Sequence, residues 1–421
     1  MLTDRADEIR ESLWSDLRKS PFEADMTERR FVIREIEYAL AHLAGWLKPE
    51  RVRVPLLNQP GRGRIIHEPL GVVLIIGAWN YPLNLLLSPL VGALAGGNTA
   101  VLKPSECAPA TADAIARLIP QFLDNEAIAV VEGAAAETQA ILDLKFDHIF
   151  FTGGADRGRS VLEKAARHLT PVTLELGGKS PCLVDETADL AVTARRIIWG
   201  KLINAGQTCV APDYVLAHMA VEEKLVAALR DAIHEFYEGN PHHSPDYCRI
   251  VNDYHFARLK NLLSDGDVFC GGETDAGDRY IAPTILRNVS LDAPVMQDEI
   301  FGPILPVIPV PHINAAIDFV NSRPRPLVLY LFTNNRAIVQ EVVERTSSGG
   351  VCVNEVVLQL TVPELPFGGV GASGMGRYHG RWSFDTFTHA KGVLHKSAMV
   401  DYSIRYPPYT ETRRRWLQVF L

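Results

Sequence analysis

Near the N-terminus, Val32, Ile36, Ala39, Leu40, Leu43 and Leu47 recur at helical spacing, with Arg34, Glu35 and Glu37 off that face. The spacing predicts a helix packed by its apolar stripe, and residues 1–48 read as helices. Arg51–Arg64 contains Pro55, Pro60, Gly61 and Gly63 and reads as extended chain. From Leu70 to Leu102 there is no charged residue, a run long enough to cross a bilayer. Asn80, Pro82, Asn84, Pro89 and Gly96-Gly97 break it up. The better reading is a strand at Gly71–Ile76, a turn at Ala78–Pro82, a helix to about Leu94 and a strand at Thr99–Leu102. Strands buried on both faces are continuous apolar runs, so the missing charges require no lipid.

The alternation continues with a helix over 109–123, a strand at Ile128–Val131, a helix over 137–143 and a strand at Ile149–Phe151. After Cys209 it repeats: Tyr214–Ala217, helices over 221–237 and 252–264, then Leu327–Phe332 and Val351–Asn354. Strand–helix alternation predicts the α/β class, with mostly parallel sheets covered by helices. No repeat of solenoid length is present. At roughly 150 residues per domain, 421 residues make two or three domains.

Composition narrows the function. The chain is 47% apolar and 22% charged, as in a globular protein. Its net charge of −8 and the lack of a basic patch argue against a nucleic-acid partner. Six cysteines lie far apart without a C-x-x-C, which excludes a disulfide scaffold and a zinc ribbon. His242-His243 are adjacent and do not ligate one ion together, so no metal is expected. The charged start (Asp4, Arg5, Asp7, Glu8, Arg10) is unlike a signal peptide, and a reducing, cytoplasmic setting is expected. The tail carries Arg413–Arg415 beside Trp416, Leu417 and Phe420, a pattern suited to a membrane surface but too short to span one.

Four segments carry candidate chemistry. Gly369-Val-Gly371-Ala-Ser-Gly374 matches G-x-G-x-x-G, but no strand precedes it and no amphipathic helix follows, so it reads as a tight loop. Phe146–Phe151 reads as a strand, Thr152–Gly158 as a Gly-rich turn and Arg159–His168 as a helix. The N–H groups at such a helix start suit a phosphate or pyrophosphate. Gly153 to Ser160 also mimics a P-loop, except that Arg159 replaces its lysine. Cys209, in Asn204-Ala-Gly-Gln-Thr-Cys, sits at an element boundary where backbone N–H groups stabilise a thiolate; a buried apolar cysteine is the alternative. Glu175 lies in an apolar strand segment, either as a general base whose pKa burial raises or in an ion pair with Lys179.

Together these segments resemble the NAD(P)-dependent aldehyde dehydrogenase superfamily, and within it the class 3 (fatty and aromatic aldehyde) branch, from about Phe31 to Lys391. The motifs that carry the resemblance are Gly77-Ala-Trp-Asn-Tyr-Pro82, Leu102-Lys-Pro-Ser-Glu106, Phe151-Thr-Gly-Gly154, Glu175-Leu-Gly-Gly-Lys179, Gly206-Gln-Thr-Cys209 and Glu299-Ile-Phe-Gly-Pro303. Pro366-Phe-Gly-Gly-Val-Gly and His379-Gly…Ser383-Phe-Asp-Thr-Phe387 are similar to the branch's C-terminal signature.

The resemblance implies an aldehyde substrate and NAD as cofactor, with NADP an alternative. It implies Cys209 as nucleophile, Asn80 and the Cys209 N–H as oxyanion donors, and Glu175 as activator of the hydrolytic water. Lys103 and Glu106 would contact the adenine ribose; Thr152, Gly153, Gly154 and Gly158 would form the pyrophosphate turn; Glu299 and Phe301 would clamp the nicotinamide ribose. Three departures stand out: Gly154 replaces the usual serine, about one N-terminal helix is expected to be missing, and the tail lacks a long hydrophobic anchor. The implied architecture has two Rossmann-like parallel-sheet domains and a small β extension that makes a homodimer. The cofactor domain would take 1–50 and 71–176, the catalytic domain 177–388, and the extension 51–70 and 389–421. Competing readings are a P-loop-like ATPase and a dehydrogenase that passes its thioester to coenzyme A.

Overall fold

The computed structural model describes residues 1–420; Leu421 and the side chains of Leu57, Leu417, Val419 and Phe420 lie outside the described residues. The reading of Leu417 and Phe420 as surface anchors therefore falls outside them.

The uncharged run folds as a β-α-β unit. Val72–Ile76 and Thr99–Lys103 are parallel neighbours joined by the helix Asn84–Ala95. Val73, Leu74 and Ile75 are fully buried because the sheet is covered on both sides. That sheet has six strands in the order 374–375, 172–176, 148–153, 72–76, 99–103, 128–130, parallel except for the first. A seven-stranded sheet follows the order 267–270, 284–287, 304–310, 214–218, 181–184, 328–332, 350–353, parallel except for its first strand. Glu50–Val52, Gly61–Pro69 and Thr388–Lys396 form a separate antiparallel sheet. This is the expected α/β class with two parallel-sheet bodies. No helix among the described residues is long and apolar enough to cross a membrane.

The structure departs from expectation in two places here. Leu40 in the helix Arg30–Trp46 and Leu47 at its C-cap are exposed, while Glu35 is buried among partners from a distant segment. Glu35 accepts the Gly380 N–H and faces His379. The continuous catalytic stretch 177–388 is also interrupted. Gly374–Met375 pairs with Val172–Leu176, the helix Gly380–Thr386 packs on Asn84–Ala95, and Tyr378 and Phe387 join the first sheet's core. The expected tight loop at 369–374 makes this return: a Cβ on Gly369 would overlap the Ser373 carbonyl, and Gly374 has φ +139°.

The N-terminal helix Ala6–Leu17 is tied in by one carboxylate. Asp16 accepts the N–H groups of Ala110 and Thr111 and the Thr111 hydroxyl, capping the helix Pro109–Phe122 from outside. Asp16→Ala is expected to lower unfolding free energy by about 1–2 kcal/mol, as lost caps do, read as a lower urea midpoint with unchanged slope.

Candidate active site

Open α/β sheets place ligands at the carboxyl ends of their strands. In the first sheet those ends hold the candidate residues of four adjacent strands: Trp79 and Asn80 after 72–76, Lys103 on 99–103, Thr152 and Gly153 on 148–153, and Glu175 on 172–176. Thr152 lies directly opposite Glu175 in the ladder. Cys209 approaches from the other body, on the loop that leads into Tyr214–His218 of the second sheet.

That loop is contorted. Asn204, Ala205 and Gly206 are consecutively left-handed at φ 53°, 50° and 76°, an arrangement that costs free energy at the non-glycine positions. A side chain at Gly206 would also overlap the Gly302 carbonyl, so glycine is required. Hydrogen bonds hold the bend. The Asn80 amide donates to the Gln207 carbonyl at 3.1 Å, and Asn204 Nδ2 donates to the carbonyls of Asn80 (2.7 Å) and Gln207 (3.1 Å). Gln207 Nε2 donates to the carbonyls of Asn204 and Arg249 while its oxygen accepts the Val251 N–H. The Tyr81 and Thr208 hydroxyls bond at 2.5 Å. Asn80 and Cys209, which come from different sheets, are thereby brought together. The backbone N–H groups of Cys209 and Val210 point at the Cys209 sulfur, yet burial, then the Glu299 and Glu175 carboxylates, push the thiol up.

The two carboxylates differ. Glu175 is buried, and neither of its oxygens has a hydrogen-bond partner among the described residues. Burial pushes its pKa well above the usual carboxylate range. The Lys179 ion-pair alternative fails, because Lys179 bonds to Asp213 at 2.6 Å and to the Val295 and Asp298 carbonyls. Glu299 lies over Gly177, where a Cβ would collide with its carboxylate, and accepts the Gly178 N–H. Burial and the nearby Asp213 push Glu299 to about 8. Its loop is pinned by Arg258, which donates to the Ile300 carbonyl at 2.6 Å, and by the Ile300 N–H on Asp213. Phe301, at φ 51°, meets Trp79 edge-on with ring centres 5.2 Å apart.

The expected cofactor turn is shorter than its sequence suggested. The helix begins at Ala155, not Arg159, with Gly154 as its extended N-cap. Gly158 is therefore inside the helix, where an added Cβ would press Leu176 at 2.8 Å. Because Ala155–Gly158 are already helical, no long loop separates strand from helix to cradle phosphates, and the P-loop reading finds no support. The remaining features fit a dinucleotide. A Cβ at Gly154 would face open space, the buried Thr152 hydroxyl has no partner among the described residues, and the helix start offers unbonded N–H groups. Lys103 is buried, with its ammonium on the Pro104 carbonyl (2.7 Å) and Glu106 (3.4 Å), and Arg157 stands 3.8 Å from the other side of Glu106.

Sequence reading missed Asn204, Gln207, Asp213 and Arg258 as parts of this site. The first three adjoin the Cys209 motif, but only the fold shows that they brace it; Arg258 carries no local signal.

A family model described as the aldehyde dehydrogenase family matches residues 1–393. Among similar curated proteins, rat aldehyde dehydrogenase family 3 member B1 is 49% identical over 420 residues, covering 99% of this chain and 90% of that protein. Rat aldehyde dehydrogenase family 3 member A2 is 48% identical, covering 100% and 87%. Among solved structures, a substrate-bound Staphylococcus aureus AldH superposes with a TM-score of 0.97 at 46% identity, covering 100% of this chain and 92% of that one. A Mycobacterium tuberculosis aldehyde dehydrogenase complexed with NAD⁺ superposes at 0.85 with 28% identity, covering 95% and 84%.

The raised Glu299 pKa gives a stability prediction. Between 4.5 and about 8 the folded state holds a proton that the unfolded state has released, so stability falls as pH rises through that window. Glu299→Gln removes this slope. The thermal midpoint of Glu299→Gln minus that of the unsubstituted protein is expected to grow as pH rises across the window, as followed by calorimetry.

Proposed function

The chain belongs to the aldehyde dehydrogenase family, oxidising aldehydes with a nicotinamide cofactor, and from that premise we propose that Cys209 is the nucleophile, Asn80 an oxyanion donor and Glu175 the general base. The observation that carries this reading is the convergence of a thiol, an anchored amide and an unpartnered buried carboxylate from two sheets. Before attack the Cys209 thiol proton passes to Glu175, which releases it to solvent water and is again ionised for the hydrolytic step. The thiolate then forms a C–S bond to the carbonyl carbon, and the carbonyl electron pair becomes an oxyanion. One Asn80 amide hydrogen is used by Gln207, which leaves the other, with the Cys209 N–H, for that oxyanion. Oxidation to the thioester needs a hydride acceptor, which bound nicotinamide supplies. Glu175 takes a proton from water, the hydroxide attacks the thioester, the C–S bond breaks and the carboxylic acid leaves.

Lys103 and Glu106 are the proposed ribose contacts, Thr152, Gly153 and Gly154 the pyrophosphate turn, and Glu299 with Phe301 the nicotinamide-side clamp. Neither the ATPase nor the coenzyme A-acylating alternative finds support. Medium- or long-chain aliphatic or aromatic aldehydes are the proposed substrates, since Tyr81, Leu85 and Ile203 form an apolar cluster with Met26, Ala78 and Trp199 next to Asn80 and Thr208. The proposed domain division keeps cofactor and catalytic bodies on the two large sheets. The homodimer is proposed through the three-stranded sheet, whose strand Thr388–Lys396 has one open edge with Leu394 exposed. A cytoplasmic location is proposed on the six free thiols.

Glu175→Gln is expected to release reduced cofactor in one burst near one equivalent per subunit, then turn over ~10²–10⁴-fold more slowly, as lost general bases do. Cys209→Ser is expected to show neither burst nor turnover, while Cys182→Ser stays active. Stopped-flow absorbance of reduced cofactor reads all three. A stalled Glu299→Gln beside a fully active Glu175→Gln would move the base to Glu299.

NAD⁺ is expected to be preferred, because Glu106 accepts a ribose hydroxyl and repels a 2′-phosphate. The kcat/KM ratio of the two cofactors measures this, and Glu106→Gln is expected to shift it toward NADP⁺, with Arg157 then free to meet the phosphate.

A further inference from the structure

Behind Asn80 lies a buried ion pair that the reaction scheme does not use. The chain runs from the helix Pro21–Ala24 into a π-helical turn at Asp25–Arg29, and this widened turn carries Glu28 to a wholly buried position facing Lys19 at 2.5 Å. Every polar contact of the pair goes to the segment bearing Asn80. The Lys19 ammonium donates to the Asn80 carbonyl at 2.9 Å and lies 3.9 Å from the centre of the Tyr81 ring. The second Glu28 oxygen accepts the N–H groups of Leu83 and Asn84, both at 3.0 Å, capping the helix Asn84–Ala95. A neighbouring buried carboxylate, Glu23, accepts the Asn204 N–H at 2.8 Å and so holds the other partner of Asn80. The N-terminal segment thus grips both sides of the turn between the sheets.

We infer that Lys19 and Glu28 are positioning residues for the oxyanion donor: they fix the Asn80 backbone so that its amide stays bonded to Gln207 beside Cys209. A pair kept only for stability would be a poor choice, because well-packed apolar residues commonly stabilise a buried site as well or better. Here the ammonium meets a backbone carbonyl that Asn204 also engages, and the carboxylate caps the adjoining helix, so three backbone groups of residues 80–84 are held at once. This inference rests on the reading of Asn80 as oxyanion donor.

Lys19→Met alone leaves the Glu28 carboxylate buried without its cation and is expected to lower the thermal midpoint. Lys19→Met/Glu28→Gln removes both charges while the Gln oxygen still accepts the Leu83 and Asn84 N–H groups, so the midpoint is expected to recover. The bond to the Asn80 carbonyl and the ammonium's contact with the Tyr81 ring are then missing. In this double variant the rate of the reduced-cofactor burst is expected to fall at least ~10-fold, within the ~10²-fold that misplacement by about 1 Å costs, at unchanged burst amplitude and cofactor affinity. A purely structural role would instead reduce amplitude, the active fraction, and leave the rate. The effect is also expected to vanish when combined with Asn80→Ala, since both changes act on one donor. A double variant with recovered midpoint and unaltered burst rate overturns the role of Lys19 and Glu28, while a slow Asn80→Ala measured beside it upholds the donor. An Asn80→Ala enzyme with an unaltered burst overturns the donor reading itself, and the positioning role with it.

Discussion

The hydrogen bond from the Asn80 amide to the Gln207 carbonyl joins the two halves of the reaction face. Asn80 follows a strand of the first sheet and Gln207 precedes one of the second, so neither sheet alone can hold a donor next to the thiol. The contact requires the left-handed bend at 204–206, and that bend requires the close approach of Gly206 to Gly302. Gly302 sits on the loop that carries Glu299 and Phe301, which Lys179, Asp213 and Arg258 anchor. These contacts make the positions of thiol, amide and the 299–302 loop interdependent. Strain at the non-glycine positions 204 and 205 persists because the surrounding bonds over-determine it.

Burial without partners is the second governing constraint. Structural carboxylates here find donors: Asp16 has three and Asp213 is held by Lys179. Glu175 has none among the described residues, although it lies inside a sheet where ladder geometry could have offered some. Leaving a buried carboxyl unsatisfied costs stability, and the neighbouring Thr152 hydroxyl carries the same cost. Both orphans sit at one level at the carboxyl end of adjacent strands, the end at which open α/β sheets bind ligands. Their unmet hydrogen-bonding capacity belongs to a site completed by what binds there.

Much of this was legible in the sequence because it was encoded locally. The uncharged run 70–102 parsed into strand, turn, helix and strand from its prolines, asparagines and glycines, and the structure follows that division. Glu175 and Cys209 stand out as candidates from the residue types around them. What stayed hidden was non-local. Glu35 was assigned outward on the period of its own helix, yet its partners arrive from residues 379 and 380. Gly158 reads as turn because glycines cluster there, while the structure places it inside the helix and against Leu176 across the helix–sheet interface. Lys19 and Glu28 sit among ordinary surface-like charges, and nothing in their neighbours announces burial.

The contrast between Glu175 and Glu299 shows how environment assigns different work to two raised carboxyls. Glu299 is fitted over the bare Cα of Gly177, takes the Gly178 N–H and belongs to a loop clamped by Arg258 and Lys179. A carboxyl with a fixed donor has part of its charge already stabilised, and it has little freedom to follow a proton toward water. Both carboxylates push the Cys209 thiol up. Glu175 has no donor to lose, and every stabilising contact to its anion must come from the water or substrate it meets. In the proposed scheme such a base gains its partners only as the reaction proceeds and is stabilised in the transition state and not before, which is the condition for accelerating the chemical step.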